Sequence, residues 1–263
     1  MKTKKTPLLA AALLPLLFAA APGFAQQAVA RPTVVLVHGA FADSSSWDGV
    51  TAKLQADGYR VIGAANPLRS VKDDAAAVAA VIKSVAGPVI LVGHSYGGSV
   101  ISAAANGNAN VKGLVYVAAF APEAGESAFD LSNKFPGSTL GPTLAKPVPL
   151  PEGGVDLYIQ QDKFPVQFAN DVPRPKAVLM AAAQRPVTEA ALKEASGEPA
   201  WKKLPSWFIY GKQDKNIPPA AQAFMADRAH SRHTVAVDGA SHVVMISHPA
   251  EVARVIEEAA TAK

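Results

Sequence analysis

The chain has 263 residues, no cysteine, 49% hydrophobic residues and a formal charge of +4. The absence of thiols excludes disulfides, a cysteine nucleophile and cysteine-ligated metal. Lys2, Lys4 and Lys5 carry most of the charge excess and residues 1–25 hold no acid, so the balance offers no footprint for nucleic acid.

Those lysines precede an apolar run from Leu8 to Ala21, and Gly23-Phe24-Ala25 then supplies small residues. This predicts a cleaved signal peptide over residues 1–25. The run is shorter than the roughly 20 residues that span a bilayer, and Pro15 interrupts it. The expected mature protein, residues 26–263, is exported to the periplasm or secreted and leaves the membrane once the signal is removed.

From residue 31 onward, short β-branched runs alternate with alanine-rich stretches of helical length. That alternation predicts an α/β fold with a mostly parallel central sheet and helices on both faces. Strands are expected at Thr33–Val37, Arg60–Gly63, Val89–Gly93, Leu114–Ala118, Trp207–Tyr210 and Thr234–Val237. Helices are expected at Trp47–Asp57, Asp73–Val85, Ser99–Asn106, Pro219–Ala229 and Pro249–Ala260, with Pro219 and Pro249 suited to first turns. The rhythm breaks between Ala121 and Leu204, where prolines and glycines leave room only for short helices. This segment carries Phe129, Phe135, Leu157, Tyr158, Phe164, Phe168 and Met180, too apolar for a solvated linker. It reads as a lid, residues 121–204, inserted into one domain whose core comprises residues 31–120 and 205–263.

The strongest chemical signal is Gly93-His94-Ser95-Tyr96-Gly97-Gly98, placed directly between an apolar strand and a small-residue helix. A G-x-S-x-G turn in that setting holds serine in a strained conformation with its hydroxyl above the sheet, and the glycines remove Cβ atoms that would collide with neighbouring elements. Ser95 is the expected nucleophile. A serine hydroxyl needs a base at neutral pH, and histidine suits the task. His38 and His94 belong to glycine turns, His230 and His233 lie in a polar link, and His248 precedes Pro249. His242, just beyond the last strand in Gly239-Ala240-Ser241-His242, stands where the order Ser, acid, His puts the base.

The base needs a carboxylate, and Asp214 follows the strand Trp207–Tyr210 closely enough to reach the sheet's carboxyl edge. Glu123, Glu126 and Asp130 after the preceding strand compete for that role; Asp238 reads as a turn residue. Two backbone N–H groups should meet the developing oxyanion. Tyr96, directly after the nucleophile, supplies one. The other should come from the turn His38-Gly39-Ala40-Phe41, with Ala40 the first choice and Phe41 the second. There is no histidine pair on one helical face with a nearby carboxylate, no P-loop and no dinucleotide fingerprint with its acidic partner, so neither metal nor cofactor is expected.

Taken together, Val35–Trp47 (VLVHGAFADSSSW), Ile90–Gly98 (ILVGHSYGG), Leu114–Glu123 (LVYVAAFAPE), Tyr210–Pro218 (YGKQDKNIP) and Asp238–Met245 (DGASHVVM) resemble the α/β-hydrolase superfamily. The resemblance is to the branch of plant methylsalicylate-type esterases and hydroxynitrile lyases. It implies Ser95, Asp214 and His242 as the triad and the N–H groups of Ala40 and Tyr96 as the oxyanion hole. The lyases of this branch typically carry a lysine after the histidine, where this chain has Val243, which disfavours lyase chemistry. The expected function is hydrolysis of a small or medium, apolar carboxylic ester through an acyl-enzyme, with a small-molecule substrate as the partner. Amide, lactone or C–C hydrolysis, perhydrolysis, and a non-catalytic ligand-binding protein of the same fold remain alternatives.

Overall fold

The computed structural model describes residues 1–3 and 31–262; beyond Met1 to Thr3, the expected signal peptide lies outside the described residues. Among these residues no helix is long and apolar enough to cross a membrane. The central sheet contains β1 (Thr33–Val37), β2 (Val61–Ala64), β3 (Val89–His94), β4 (Val111–Val117), β8 (Ser206–Gly211) and β9 (His233–Val237). Three further short strands are β5 (Val148–Pro149), β6 (Val155–Leu157) and β7 (Val187–Thr188). The helices are α1 (Asp48–Ala56), α2 (Val71–Lys83), α3 (Gly97–Ala104), α4 (Ala128–Lys134), α5 (Phe164–Phe168), α6 (Arg174–Ala183), α7 (Glu189–Lys193), α8 (Pro219–Arg228), α9 (Val244–Ser247) and α10 (Pro249–Thr261).

The central strands run parallel in the order β2-β1-β3-β4-β8-β9. All five side chains of β1 and all six residues of β3 are buried, because a parallel sheet covered on both faces exposes neither side of its central strands. Right-handed crossovers that leave in opposite directions land on opposite faces. The chain goes outward from β1 to β2, then returns through β3 to β4, β8 and β9. Helix α1 therefore lies on one face, where α10 packs against it, while α2 and α3 pair on the other. The reversal puts a topological switch point between β1 and β3, and ligands of open α/β sheets bind at the carboxyl ends of the strands at such points.

Strand β1 has the predicted bounds, and the other predicted elements recur with shifted ends. Helix α2 begins two residues early because the Ser70 side chain accepts from the Asp73 N–H and starts it at Val71. Strand β4 begins at Val111, three residues early: Gly113 pairs with Ile90 and lies against the Trp207 ring, so a residue that reads as a loop in sequence serves close packing. It also ends one residue early, since Ala118 takes a left-handed φ of 44°.

Between β4 and β8, residues 121–204 form α4 to α7 and the antiparallel sheet β5-β6-β7. The helices are short, as expected, and the small sheet has no counterpart in the predicted elements. Two of its strands have two residues each, too few for alternation to register.

Candidate active site

Strand β3 delivers Ser95 to the switch point. Ser95 has φ 53°, a left-handed conformation unfavourable for a residue with a Cβ, and its surroundings enforce it. Its N–H donates to the Val117 and Ala118 carbonyls at 3.3 and 3.2 Å, while its carbonyl accepts from Gly98 at 2.9 Å and Phe120 at 3.1 Å. A Cβ on Gly93 would sit 2.6 Å from the Gly97 carbonyl oxygen, and one on Gly97 would sit 2.7 Å from the Val37 oxygen. Real Cβ atoms do not approach so closely, so this turn requires both glycines.

The Ser95 hydroxyl lies 2.9 Å from His242 Nε2, and His242 Nδ1 lies 2.7 Å from Asp214 Oδ2. All three residues are buried. The Asp214 carboxylate is fully engaged: Oδ1 accepts from the Asn216 and Ile217 N–H groups, and Oδ2 accepts from Gln222 Nε2 at 2.8 Å as well as from His242. The acid is thus oriented by the first turn after β8 and by α8. Nδ1 bears the proton given to Asp214, which leaves Nε2 as the acceptor facing Ser95.

The turn after β1 closes the site from the other strand. Val37 is in register with Gly93, and a Cβ on Gly39 would meet that of Ser95 at 2.6 Å, so only glycine lets the turn pass so near the hydroxyl. The Phe41 N–H donates to the Arg185 carbonyl at 3.0 Å and is not free, which removes the second choice for an oxyanion donor. The N–H groups of Ala40 and Tyr96 lie on buried residues and have no acceptor among the described residues. Both residues line the cavity at Ser95, and unpartnered N–H groups on buried residues are rare. Tyr96 is also the N-cap of α3, whose N-terminal dipole favours negative charge. Its phenol donates to buried Asp74 Oδ2 at 2.9 Å; burial raises the pKa of both groups.

His38, His94 and His233 are occupied elsewhere. His38 Nε2 accepts from the Asn66 N–H at 3.0 Å, so Nδ1 carries the proton donated to the Gly39 carbonyl. Burial, outweighing that bond, lowers its pKa. His94 Nε2 donates to the His242 carbonyl at 3.1 Å; burial first, then the neighbouring His242, hold His94 well below the ordinary imidazole value. His233 pairs with Glu258 on the surface. The competing acids lie in local structure: Glu123 pairs with Lys202, Glu126 with Arg228, Asp130 closes a capping box with Ser127, and Asp238 is an exposed partner of Lys212. Gln222 and Asp74 were not foreseen, because each meets the site through the fold and not through a local pattern.

A cavity of 420 Å³ opens at Ser95 and His242. Its walls are mostly apolar, with Phe41 and Phe120 from the core and Phe129, Leu144, Leu157 and Phe168 from the segment between β4 and β8. The Phe168 ring stands edge-on to the His242 imidazole, 5.0 Å between centroids, and to Phe41 at 6.1 Å. No group of three or more potential metal-ligating side chains occurs among the described residues.

Residues 34–255 match the family model described as the alpha/beta hydrolase family. An alpha/beta hydrolase from Aspergillus novofumigatus, nvfD, is 26% identical over 254 residues, covering 88% of this chain and 97% of that protein. The structure of polyneuridine aldehyde esterase superposes with a TM-score of 0.74 at 19% identity, covering 87% of this chain and 99% of that one. A methylesterase from Arabidopsis superposes at 0.70 and 18% identity, covering 87% and 98%.

Proposed function

Since the chain belongs to the alpha/beta hydrolase family, we propose that it is a serine hydrolase that cleaves a medium-sized, apolar carboxylic ester through an acyl-enzyme. The observation that carries this reading is the hydrogen-bonded series Ser95 Oγ, His242 Nε2 and Nδ1, and Asp214 Oδ2, with bonds of 2.9 and 2.7 Å, facing two free buried N–H groups.

In this reading His242 takes the Ser95 proton as Oγ attacks the ester carbonyl. The carbonyl oxygen becomes an oxyanion held by the N–H groups of Ala40 and Tyr96, each worth on the order of 10²–10³ in turnover. Asp214 fixes the tautomer and stabilises the imidazolium without itself taking the proton. Collapse of the tetrahedral adduct expels the alcohol, which receives the proton from His242. Water, deprotonated by the same imidazole, then releases the acid and restores Ser95.

The substrate class is read from the cavity. Its 420 Å³ suits a molecule larger than a simple acetate, and the aromatic rings around Ser95 favour apolar acyl or alcohol groups. The insert acts as a lid that forms much of this wall and excludes bulk water from the acyl-enzyme. The names of two structural relatives, polyneuridine aldehyde esterase and a methylesterase, point to an ester bond. The lysine-led apolar run in residues 1–25 supports export, so the ester would be met outside the cytoplasm.

Intact-protein mass spectrometry after fluorophosphonate treatment tests the reading, alongside turnover of a panel of p-nitrophenyl esters. The expected result is one adduct on Ser95, absent in Ser95→Ala and His242→Ala, with turnover lost in both. A folded protein that takes up no label and turns over no ester would refute it.

A further inference from the structure

His242 is held at both ring nitrogens and at its own carbonyl, and its backbone is held from a further direction. The Ser241 hydroxyl donates to Asp171 Oδ1, and it lies 3.4 Å from both the Phe168 carbonyl and the Val243 N–H. A hydroxyl has one proton, and the carboxylate is the stronger acceptor, so the proton goes to Asp171 and a remaining lone pair meets the Val243 N–H. The result is a chain from Val243 N–H through Ser241 Oγ to Asp171. It ties together the residues on either side of the imidazole.

Asp171 belongs to the insert, three residues after Phe168, whose ring stands against the same imidazole. Its second oxygen, Oδ2, is buried with no hydrogen-bond partner among the described residues; His248 Nδ1 is 3.8 Å away and lies 2.9 Å from Ser247 Oγ. A carboxylate oxygen buried without a hydrogen bond costs stability, and the long contact with His248 offsets little of that, so the placement of Asp171 calls for another reason.

Resting on the serine hydrolase reading above, we propose that Asp171 is a positioning residue: through the Ser241 hydroxyl it holds the backbone on both sides of His242, keeping the imidazole aligned between Ser95 and Asp214. The insert then does two things with one short segment. Phe168 walls the pocket, and Asp171 aligns the base that works in it.

The test compares the full chain with Asp171→Ala, Ser241→Ala, their double variant and Asp171→Asn, by ester kinetics and by the rate of fluorophosphonate labelling, with circular dichroism and melting as the check on folding. In both single alanine variants kcat and the labelling rate should fall about ten- to hundredfold, the size of effect an ångström-scale misplacement produces. KM should stay within about threefold, since substrate binding is not what is lost. The double variant should be no slower than the slower single, because both remove one link. Asp171→Asn keeps an oxygen to accept from Ser241 and should recover most of kcat. If Asp171→Ala does not fold, Ser241→Ala and Asp171→Asn decide by the same criteria. Folded variants with kcat and labelling within about twofold of the parent would overturn the role of Asp171 and leave the hydrolase reading intact. A parent chain that neither labels nor turns over any ester would overturn that reading and the positioning role with it.

Discussion

The six-stranded core and the insert between β4 and β8 solve different problems with different means. In the core, strands of four to seven residues lie in one parallel ladder, and the site hangs from strand ends in a fixed register. The insert has helices of five to ten residues and strands of two or three; its buried side chains, Phe164 and Phe168 among them, join the same apolar core, and individual polar contacts add to that packing. Glu194 accepts from the Val71 and Lys72 N–H groups at the start of α2, Arg69 pairs with Asp156 at 2.7 Å, and Thr188 donates to the Arg69 carbonyl. A ladder fixes many residues cooperatively. Point contacts fix a surface that can be replaced piece by piece, which suits a wall that selects substrates. The core thus supplies the continuous ladder from which Ser95, Asp214 and His242 hang, and the insert supplies much of the cavity wall.

A cavity made in the core tests that division most severely. Leu36 is fully buried in β1, in register with Gly63 and Val92 of its neighbours. Leu36→Ala should cost about 2–5 kcal/mol in chemical denaturation, the range for such truncations. KM for a good ester should be unchanged in the protein that remains folded. A large change in KM with little loss of stability would mean that β1, though its Leu36 lies off the cavity wall, shapes the pocket.

The same contrast explains what could be read in advance. Strand β1 was legible to the residue because Thr33–Val37 is a run of buried, mostly β-branched side chains with a glycine turn after it. The positions of Ser95, His242 and Asp214 were legible because each follows a strand end, and Gly39, Gly93 and Gly97 mark where backbones must pass closely. The insert was legible only as apolar and broken. Two-residue strands have no period, and Asp171 meets Ser241 across 70 positions of sequence, where no local pattern connects them. Gln222 was hidden for a related reason: its amide reaches Asp214 only because α8 turns back after Pro218.

The two buried histidines of the core should make its stability sense pH before its carboxylates do. His38 and His94 are held below 6.5 in the fold and regain that value on unfolding. Below about pH 6.5 the unfolded chain binds protons that the folded chain refuses, so stability is lost as pH falls through that window. The slope approaches about 1.4 kcal/mol per pH unit for each group. Asp74 acts in the opposite sense at lower pH, since its raised pKa favours the folded state as the carboxyl protonates. Urea midpoints measured between pH 7.5 and 5 should therefore decline toward acid; a flat profile would mean that water reaches one or both imidazoles.

The smallest expected change in stability belongs to the insert and sharpens the division most. Phe129, on α4, is half exposed yet lines the cavity, with the Lys193 ammonium 5.6 Å from its ring centroid. An exposed side chain of this kind contributes little to folding, so Phe129→Ala should shift stability by no more than about 0.5 kcal/mol. If the insert selects substrates, the same change should raise KM for aryl esters severalfold while leaving KM for a short alkyl ester near the parent value, because only the larger group reaches that wall. Equal effects on both esters would mean that Phe129 acts on the shape of the site as a whole. A melting point that fell as far as in Leu36→Ala would mean that the insert is part of the cooperative core.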